Sequence, residues 1–344
     1  MLPTDLPASL PEFLARFGTD EACRDHLFTL RWPGGFRCDC GHASYYLLST
    51  RANVYECSSC GAQHSLLAGT IFEQTKSGLS KWFLAIYLFA GSKGGISALE
   101  LKRHLGFGSD QTAWTWLHKI RGAMSVRGTP LASPVEVDES YLGGPQPGKR
   151  GRGAAGKTLV AGAVETRAYE VPAPDPARLR GIARMLAEGV AERIARTGVT
   201  TRFCLGRARL GVIEDASTKA LEDFIKNTIE PGASIATDGW KGYLRLRRNG
   251  YRHERIIISK VDGEAHEHLP ASHLVFMLLK RVLLGTYHGG IGARHTPAYL
   301  DEVVFRFNRR SLKPAHLALR LIERAVATLP IRNQTILGHA KSPT

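Results

Sequence analysis

The chain is 344 residues long with 43% hydrophobic content, which excludes a disordered protein and exceeds what one compact core organises, so two or three domains are expected. Lys and Arg number 46 against 31 Asp and Glu, and the resulting charge of +15 points to a polyanionic partner, nucleic acid first, with a merely arginine-rich basic enzyme as the bland alternative. No apolar run reaches the roughly 18 residues that span a bilayer, and no charged segment leading into an apolar one opens the chain, so a cytoplasmic, nucleoid-associated location without membrane contact is expected.

In chain order, residues 1–27 read as a helical lead-in and 28–72 as a zinc ribbon. Four of the six cysteines fall in RCDCGH at 37–42 and ECSSCG at 56–61, which suits a metal cluster in a reducing compartment better than a disulfide framework. Each motif is a knuckle, a tight turn presenting closely spaced thiolates to one ion, and two knuckles on successive hairpins complete tetrahedral Zn²⁺. The second knuckle, Cys57 and Cys60, has regular spacing, whereas the first, Cys38 and Cys40, is one residue short. Either all four cysteines share the ion or His42 replaces Cys40. So small a module has little apolar core to hold it without metal, hairpins packing unaided being the alternative. Cys23 and Cys204 stand alone and read as ordinary core thiols.

Residues 76–127 form a helical region. In LSKWFLAIYLFA (79–90), Trp82, Phe83, Ile86, Tyr87 and Phe89 crowd most of the circumference, which predicts a buried helix. A short helix ending near Leu105 then meets a Gly-Phe-Gly turn, and a second helix follows, capped by Ser109 or Asp110. That is a helix-turn-helix pattern, with a plain helical hairpin as its alternative. On the second helix Ala113, Trp116, Leu117 and Ile120 form the inward stripe and leave Gln111, Thr112, Thr115, His118, Lys119 and Arg121 for phosphates or base edges.

The stretch GTPLASP at 128–134 breaks the helical pattern and leads into a domain expected over 133–312, with 313–344 as a C-terminal tail. VEVDESYLGG alternates as a strand and places Glu136 and Asp138 on one face. The next loop carries Lys149, Arg150 and Arg152, which could follow a DNA backbone or simply be solvated. Residues 158–165 and 202–216 read as strands, 218–228 as a helix, and 175–197 as an Arg-rich amphipathic helix within an insertion at about 170–200. SIATDGW is a strand that delivers Asp238 at its C-terminal end. After Leu269-Pro270, ASHLVFMLLKRVLLGTY is helical, with His273 in its first turn and Lys280 seven residues later on the same face. Laid over a mixed sheet, that helix would bring His273 to Asp138 and Asp238. Oxygen-rich sites of this kind suit hard cations, and two ions about 4 Å apart activate a water or 3′-hydroxyl on one side of a phosphodiester while stabilising the leaving oxygen on the other. Lys280 would hold a phosphate nearby. Taken singly, each residue has a structural role open to it: Asp238 opening a turn, His273 capping its helix, Lys280 a solvated charge.

Together FRCDCGH, TIFEQTKSGLSKWFLAIYL, GISALELKRHLG, QTAWTWLHKIR, VEVDESYLGG, TDGWKGY, LLKRVLLGTYHGG and YLDEVVFRFNRR resemble the zinc-ribbon-bearing DDE transposases of bacterial insertion sequences, relatives of the eukaryotic Merlin elements, over nearly the whole chain. The resemblance implies an RNase H-like catalytic domain, an α/β fold in which helices flank a mixed sheet, behind a zinc ribbon and a helix-turn-helix. It implies action with Mg²⁺ or Mn²⁺ on double-stranded DNA, cutting the terminal inverted repeats of the element and joining them to a target. Asp138 and Asp238 match the first two catalytic carboxylates, and Lys280 matches the basic residue of the last catalytic helix. His273 stands where a DDE enzyme has Glu. Either the site runs as a DDH triad, which favours Mn²⁺, or Glu264 or Glu267 completes it. Arg281, Arg306, Arg309 and Arg310 join the basic loop as expected phosphate contacts. Handling two ends together implies a homodimer or larger. The rival readings are a catalytically decayed remnant that only binds DNA and an RNase H-like nuclease that hydrolyses without joining.

Overall fold

The computed structural model describes residues 7–125, 128–132, 134–143, 157–170, scattered positions between 177 and 192, 201–260, 268–289 and 291–338, and the structural statements below concern these. The elements begin with α1 (Leu10–Phe17), α2 (Asp20–Arg31), β1 (Tyr45–Leu47), β2 (Val54–Cys57), β3 (Gln63–Ser65), α3 (Leu79–Gly91), α4 (Ala98–Leu105) and α5 (Asp110–Met124). They continue with β4 (Val135–Leu142), β5 (Thr158–Glu170), β6 (Thr201–Ile213), α6 (Thr218–Thr228), β7 (Ser234–Asp238), β8 (Arg252–Ile256), α7 (Pro270–Gly285), α8 (Thr296–Phe307), α9 (Pro314–Ala327) and α10 (Asn333–Leu337). The chain forms two compact units, Met1–Arg127 with Leu279–Thr344, and Gly128–Leu278. Among the described residues no helix is long and apolar enough to cross a membrane.

In the first unit β1, β2 and β3 form a small antiparallel sheet, and the helices share one core. α3 buries Trp82, Phe83, Ile86 and Phe89, and the Trp82 ring stacks on Trp116 of α5 at 3.5 Å. The second helix of the expected pair is capped by Ser109, whose hydroxyl accepts the Gln111 amide. α4 ends on Gly106 with φ of 60°, a left-handed position that glycine adopts without a Cβ clash. Residues 313–344, expected as a tail, supply α9, whose Leu317, Leu321 and Ile322 lie in this core.

Helix α5 departs from its expected exposure. It contacts α4, α8 and α9, so more than one face is covered. Thr115, His118 and Arg121 are 6%, 5% and 1% exposed, and none is available to DNA. Arg121 Nε donates to Glu302 Oε2 at 2.8 Å and its Nη2 donates to Tyr287 Oη at 3.0 Å. Arg306, expected at phosphates, pairs with Glu302 at 3.0 Å and donates to the Ala90 and Phe89 carbonyls, where it satisfies the last turn of α3. The guanidinium charges of Arg121 and Arg306 hold the Glu302 carboxyl below its ordinary range against the opposing effect of burial, the largest single influence on it. Gly95, at φ +84°, lies against Tyr287 and Glu302, and a Cβ there would strike the Tyr287 hydroxyl.

The second unit is a five-stranded sheet in the order β6-β5-β4-β7-β8, antiparallel from β6 to β4 and parallel from β4 to β8. Val135, Val137, Ala161, Ile235 and Tyr243 form one face with Leu221, Phe224 and Ile225 of α6. The start of α7 covers the other face. Gly162, paired with Asp138, lies beneath Phe276 of that helix, where a Cβ would come within 2.8 Å of the ring. The glycine at this position of β5 lets the helix approach. At a bulge between Val164 and Thr166, Glu165 accepts the Ala132 and Arg207 amides and pairs with the Arg207 guanidinium at 2.6 Å, which ties the entry segment to the sheet. Cys204, expected in the core, is exposed, whereas Cys23 is buried as expected. Lys149, Arg150, Arg152, Glu264 and Glu267 lie outside the described residues, as does most of the insertion, whose described positions between 181 and 192 are helical.

Two stability tests follow. Glu302→Gln leaves the buried Arg121 guanidinium without its counter-charge, and should lower the unfolding free energy by about 3–5 kcal/mol in denaturant titration. Burial, then the charges of Arg121 and His295, depress the pKa of His118 from 6.5 to about 3. A folded pKa below the unfolded one means that this contribution to stability is complete above 6.5 and is lost as pH falls toward 3. His118→Gln should therefore flatten the fall in melting temperature over that range relative to the unaltered protein.

Candidate active site

Strands β4 and β7 run parallel with Val135, Glu136 and Val137 paired to Ile235, Ala236 and Thr237. The next residue on each strand is Asp138 and Asp238, so the two carboxylates leave neighbouring strands side by side on the same face, about 4.8 Å apart at the backbone. Asp138 Oδ1 accepts the Glu139 amide at 2.8 Å, and Asp238 Oδ1 accepts the Trp240 amide at 2.9 Å. The rest of TDGWKGY braces that turn. Arg255 donates to the Gly239 carbonyl, the Trp240 indole donates to the Ala216 carbonyl at 2.8 Å, and the Tyr243 hydroxyl donates to Glu139 at 2.6 Å. Gly242 leaves room for the Trp240 and Leu221 side chains, which a Cβ would meet at 2.7 Å. Burial and then the negative charges of Glu139, Asp138 and Asp238 push the Tyr243 hydroxyl well above its usual range, so it serves as a donor.

Helix α7 is fixed beside these residues by Glu136. Its buried carboxylate accepts the Ala271 amide at 2.8 Å and the Ser272 amide at 3.0 Å, two of the orphan donors of the first helical turn. Burial raises the Glu136 carboxyl above its ordinary range, and the Ser272 and Ala271 amides draw it partway back. Because Glu136 and Asp138 share a face two residues apart, the cap sets the next helical residue over the site. His273 Nε2 lies 3.9 Å from Asp138 Oδ2, with the two side chains 40% and 17% exposed, open enough to meet a substrate.

The structure thus places Asp138 and Asp238 each one residue beyond the last pair of the parallel register, and His273 3.9 Å from Asp138. It does not bring all three donor groups within 4.8 Å of one another; among the described residues only the four ribbon cysteines do that. Lys280 and Arg281 are exposed later on α7, Lys280 two turns past His273, about 10 Å along the axis. Gln111 and Thr112 are exposed, and Lys119 is half-buried. Arg309 covers the Phe305 ring at 4.2 Å, and exposed Arg310 covers Phe307 at 4.4 Å. Sequence reasoning placed Glu136 on the right face and gave it no role. A carboxylate that caps a helix 135 residues away leaves no local signal.

In the ribbon Cys38, Cys40, Cys57 and Cys60 converge despite the short first knuckle. The sulfurs of Cys38 and Cys60 lie 3.5 Å apart and those of Cys40 and Cys57 3.6 Å apart. A tetrahedron with Zn–S bonds of ~2.3 Å has edges of ~3.8 Å, so the set fits Zn²⁺, and His42 is not part of it. The Cys60 and Ser59 amides bring the Cys57 thiol down to about 6. The Cys40 amide pulls Cys38 the same way, but burial and the neighbouring sulfurs outweigh it and leave Cys38 at about 12.

A mixed sheet flanked by helices, with carboxylates at the ends of adjacent parallel strands, is consistent with an RNase H-like domain, and here it stands behind a four-cysteine ribbon. The ISXO2-like transposase domain model matches residues 130–308, more than half of the chain, and the transposase zinc-ribbon domain model matches 18–63. The chain belongs to this family of insertion-sequence transposases, whose domain implies DNA as the partner. It is also similar to an uncharacterized protein in transposable element ISH50 of Halobacterium salinarum, 23% identical over 314 residues that cover 89% of this chain and 96% of the relative.

Removing the cap tests the geometry directly. Glu136→Ala strands two buried amides at a cost of about 1–3 kcal/mol each, and hydrogen exchange at Ala271 and Ser272 should accelerate. Glu136→Gln keeps an acceptor oxygen and should keep those amides protected.

Proposed function

We propose that this protein is a metal-dependent DNA transposase that nicks the terminal inverted repeats of its element and then joins the freed 3′-hydroxyl to target DNA. The observation that carries the reading is the pair of carboxylates, Asp138 and Asp238, at the ends of adjacent parallel strands, with His273 3.9 Å from the first. Bound there, Mg²⁺ or Mn²⁺ ions would supply the Lewis acidity that activates the attacking oxygen and stabilises the leaving one. Asp138 and Asp238 would hold the ions, with His273 as a neutral third ligand. An imidazole brings no negative charge, which tilts the preference toward Mn²⁺. Lys280, exposed on the same helix, would steady a phosphate of the scissile strand.

The ribbon cysteines hold Zn²⁺ in this reading, and α4 and α5 serve as a helix-turn-helix in which exposed Gln111 and Thr112 open the recognition helix, with Lys119 farther along it. Arg281 and Arg310 add phosphate contacts. The active complex is a homodimer or larger, acting on double-stranded DNA in the cytoplasm.

Asp138→Asn and Asp238→Asn should each cut end cleavage and strand transfer at least about a hundredfold in Mg²⁺ or Mn²⁺, while binding of the same DNA ends persists and weakens steeply with salt. Undiminished cleavage in either variant contradicts the proposal. Binding without cleavage in the unaltered protein selects the decayed remnant, and hydrolysis without joining selects the nuclease.

A further inference from the structure

The two knuckles of the ribbon differ in how they surround their leading sulfur. In the regular one, two residues separate Cys57 from Cys60. The Gly61 amide, four residues on, then closes the turn onto the Cys57 carbonyl at 3.0 Å. In the short knuckle, one residue separates Cys38 from Cys40. The amide three residues on, Gly41, is already committed to the Cys38 carbonyl at 2.8 Å. Losing one residue closes the turn one amide earlier, so the amide three residues past Cys38 is spent on a carbonyl and not on the sulfur.

His64 reaches the Cys38 sulfur from β3. Its Nε2 lies 3.3 Å from Cys38 Sγ, within hydrogen-bond reach of a sulfur. Strand pairing of Tyr55 with His64 sets the position, and the Phe36 ring meets the imidazole edge-on at 5.3 Å. Four thiolates on one dication carry excess negative charge, and donors to the sulfurs disperse it, so metal sites lose affinity when such outer contacts are removed.

We propose that His64 is a positioning residue of the zinc centre: it donates Nε2–H to the Cys38 thiolate in place of the amide the shortened knuckle cannot offer, and this contact retains Zn²⁺.

The test measures transfer of zinc from the full-length protein to a chromogenic chelator. His64→Ala should accelerate release about tenfold. His64→Phe, which keeps a ring against Phe36 without a donor, should do the same and carries the test if the alanine variant fails to fold. Inserting one glycine between Asp39 and Cys40 restores the regular spacing, and in that background His64→Ala should change the rate less than about twofold. Unchanged release in the His64→Ala or His64→Phe variant overturns the proposal, and so does an equal acceleration in the lengthened knuckle. Neither result bears on the catalytic reading, which rests on Asp138 and Asp238.

Discussion

A single buried carboxylate organises the candidate active site. Glu136 points from the start of β4 into the first turn of α7 and accepts two of its amides, so the strand that carries Asp138 also dictates where His273 stands. The strand's period of two puts the cap and Asp138 on one face, and the parallel register with β7 adds Asp238 beside them. The geometry needs little else: Gly162 to let the helix close in, and the braced DGWKGY turn to hold the end of β7.

Several arginines have an internal purpose. Arg306 and Arg324 satisfy carbonyls at the ends of α3 and α5, Arg121 is locked to Glu302, Arg207 to Glu165, and Arg255 to the Gly239 carbonyl. Guanidinium suits these positions because it presents several donors in a plane and stays charged when buried. Exposed Lys280, Arg281 and Arg310 are among the cations that the proposed function offers to DNA.

The sequence was most legible where local periodicity and spacing decide the structure. The strand through Asp138, the strand ending at Asp238, the helix beginning before His273 and the four-cysteine cluster all stand close to where alternation, turn residues and knuckle spacing put them. It was least legible where a polar residue pairs with something distant. Thr115, His118 and Arg121 read as the outer face of α5 because its apolar stripe is narrow, yet further helices cover them and Glu302 neutralises the arginine. The same distance hides Glu136's role and His64's sulfur contact. The tail was misread for another reason: LALRLIERAVA carries a helical stripe in plain view, but only the assembled core shows what it packs against.

The most direct test of the account is the site of Mn²⁺ binding, read from the anomalous signal in crystals of the full-length protein grown with the ion. The account predicts density between the carboxylates of Asp138 and Asp238, within reach of the His273 imidazole, and its loss in Asp138→Asn. Mn²⁺ bound elsewhere, with none between the two aspartates, would contradict it.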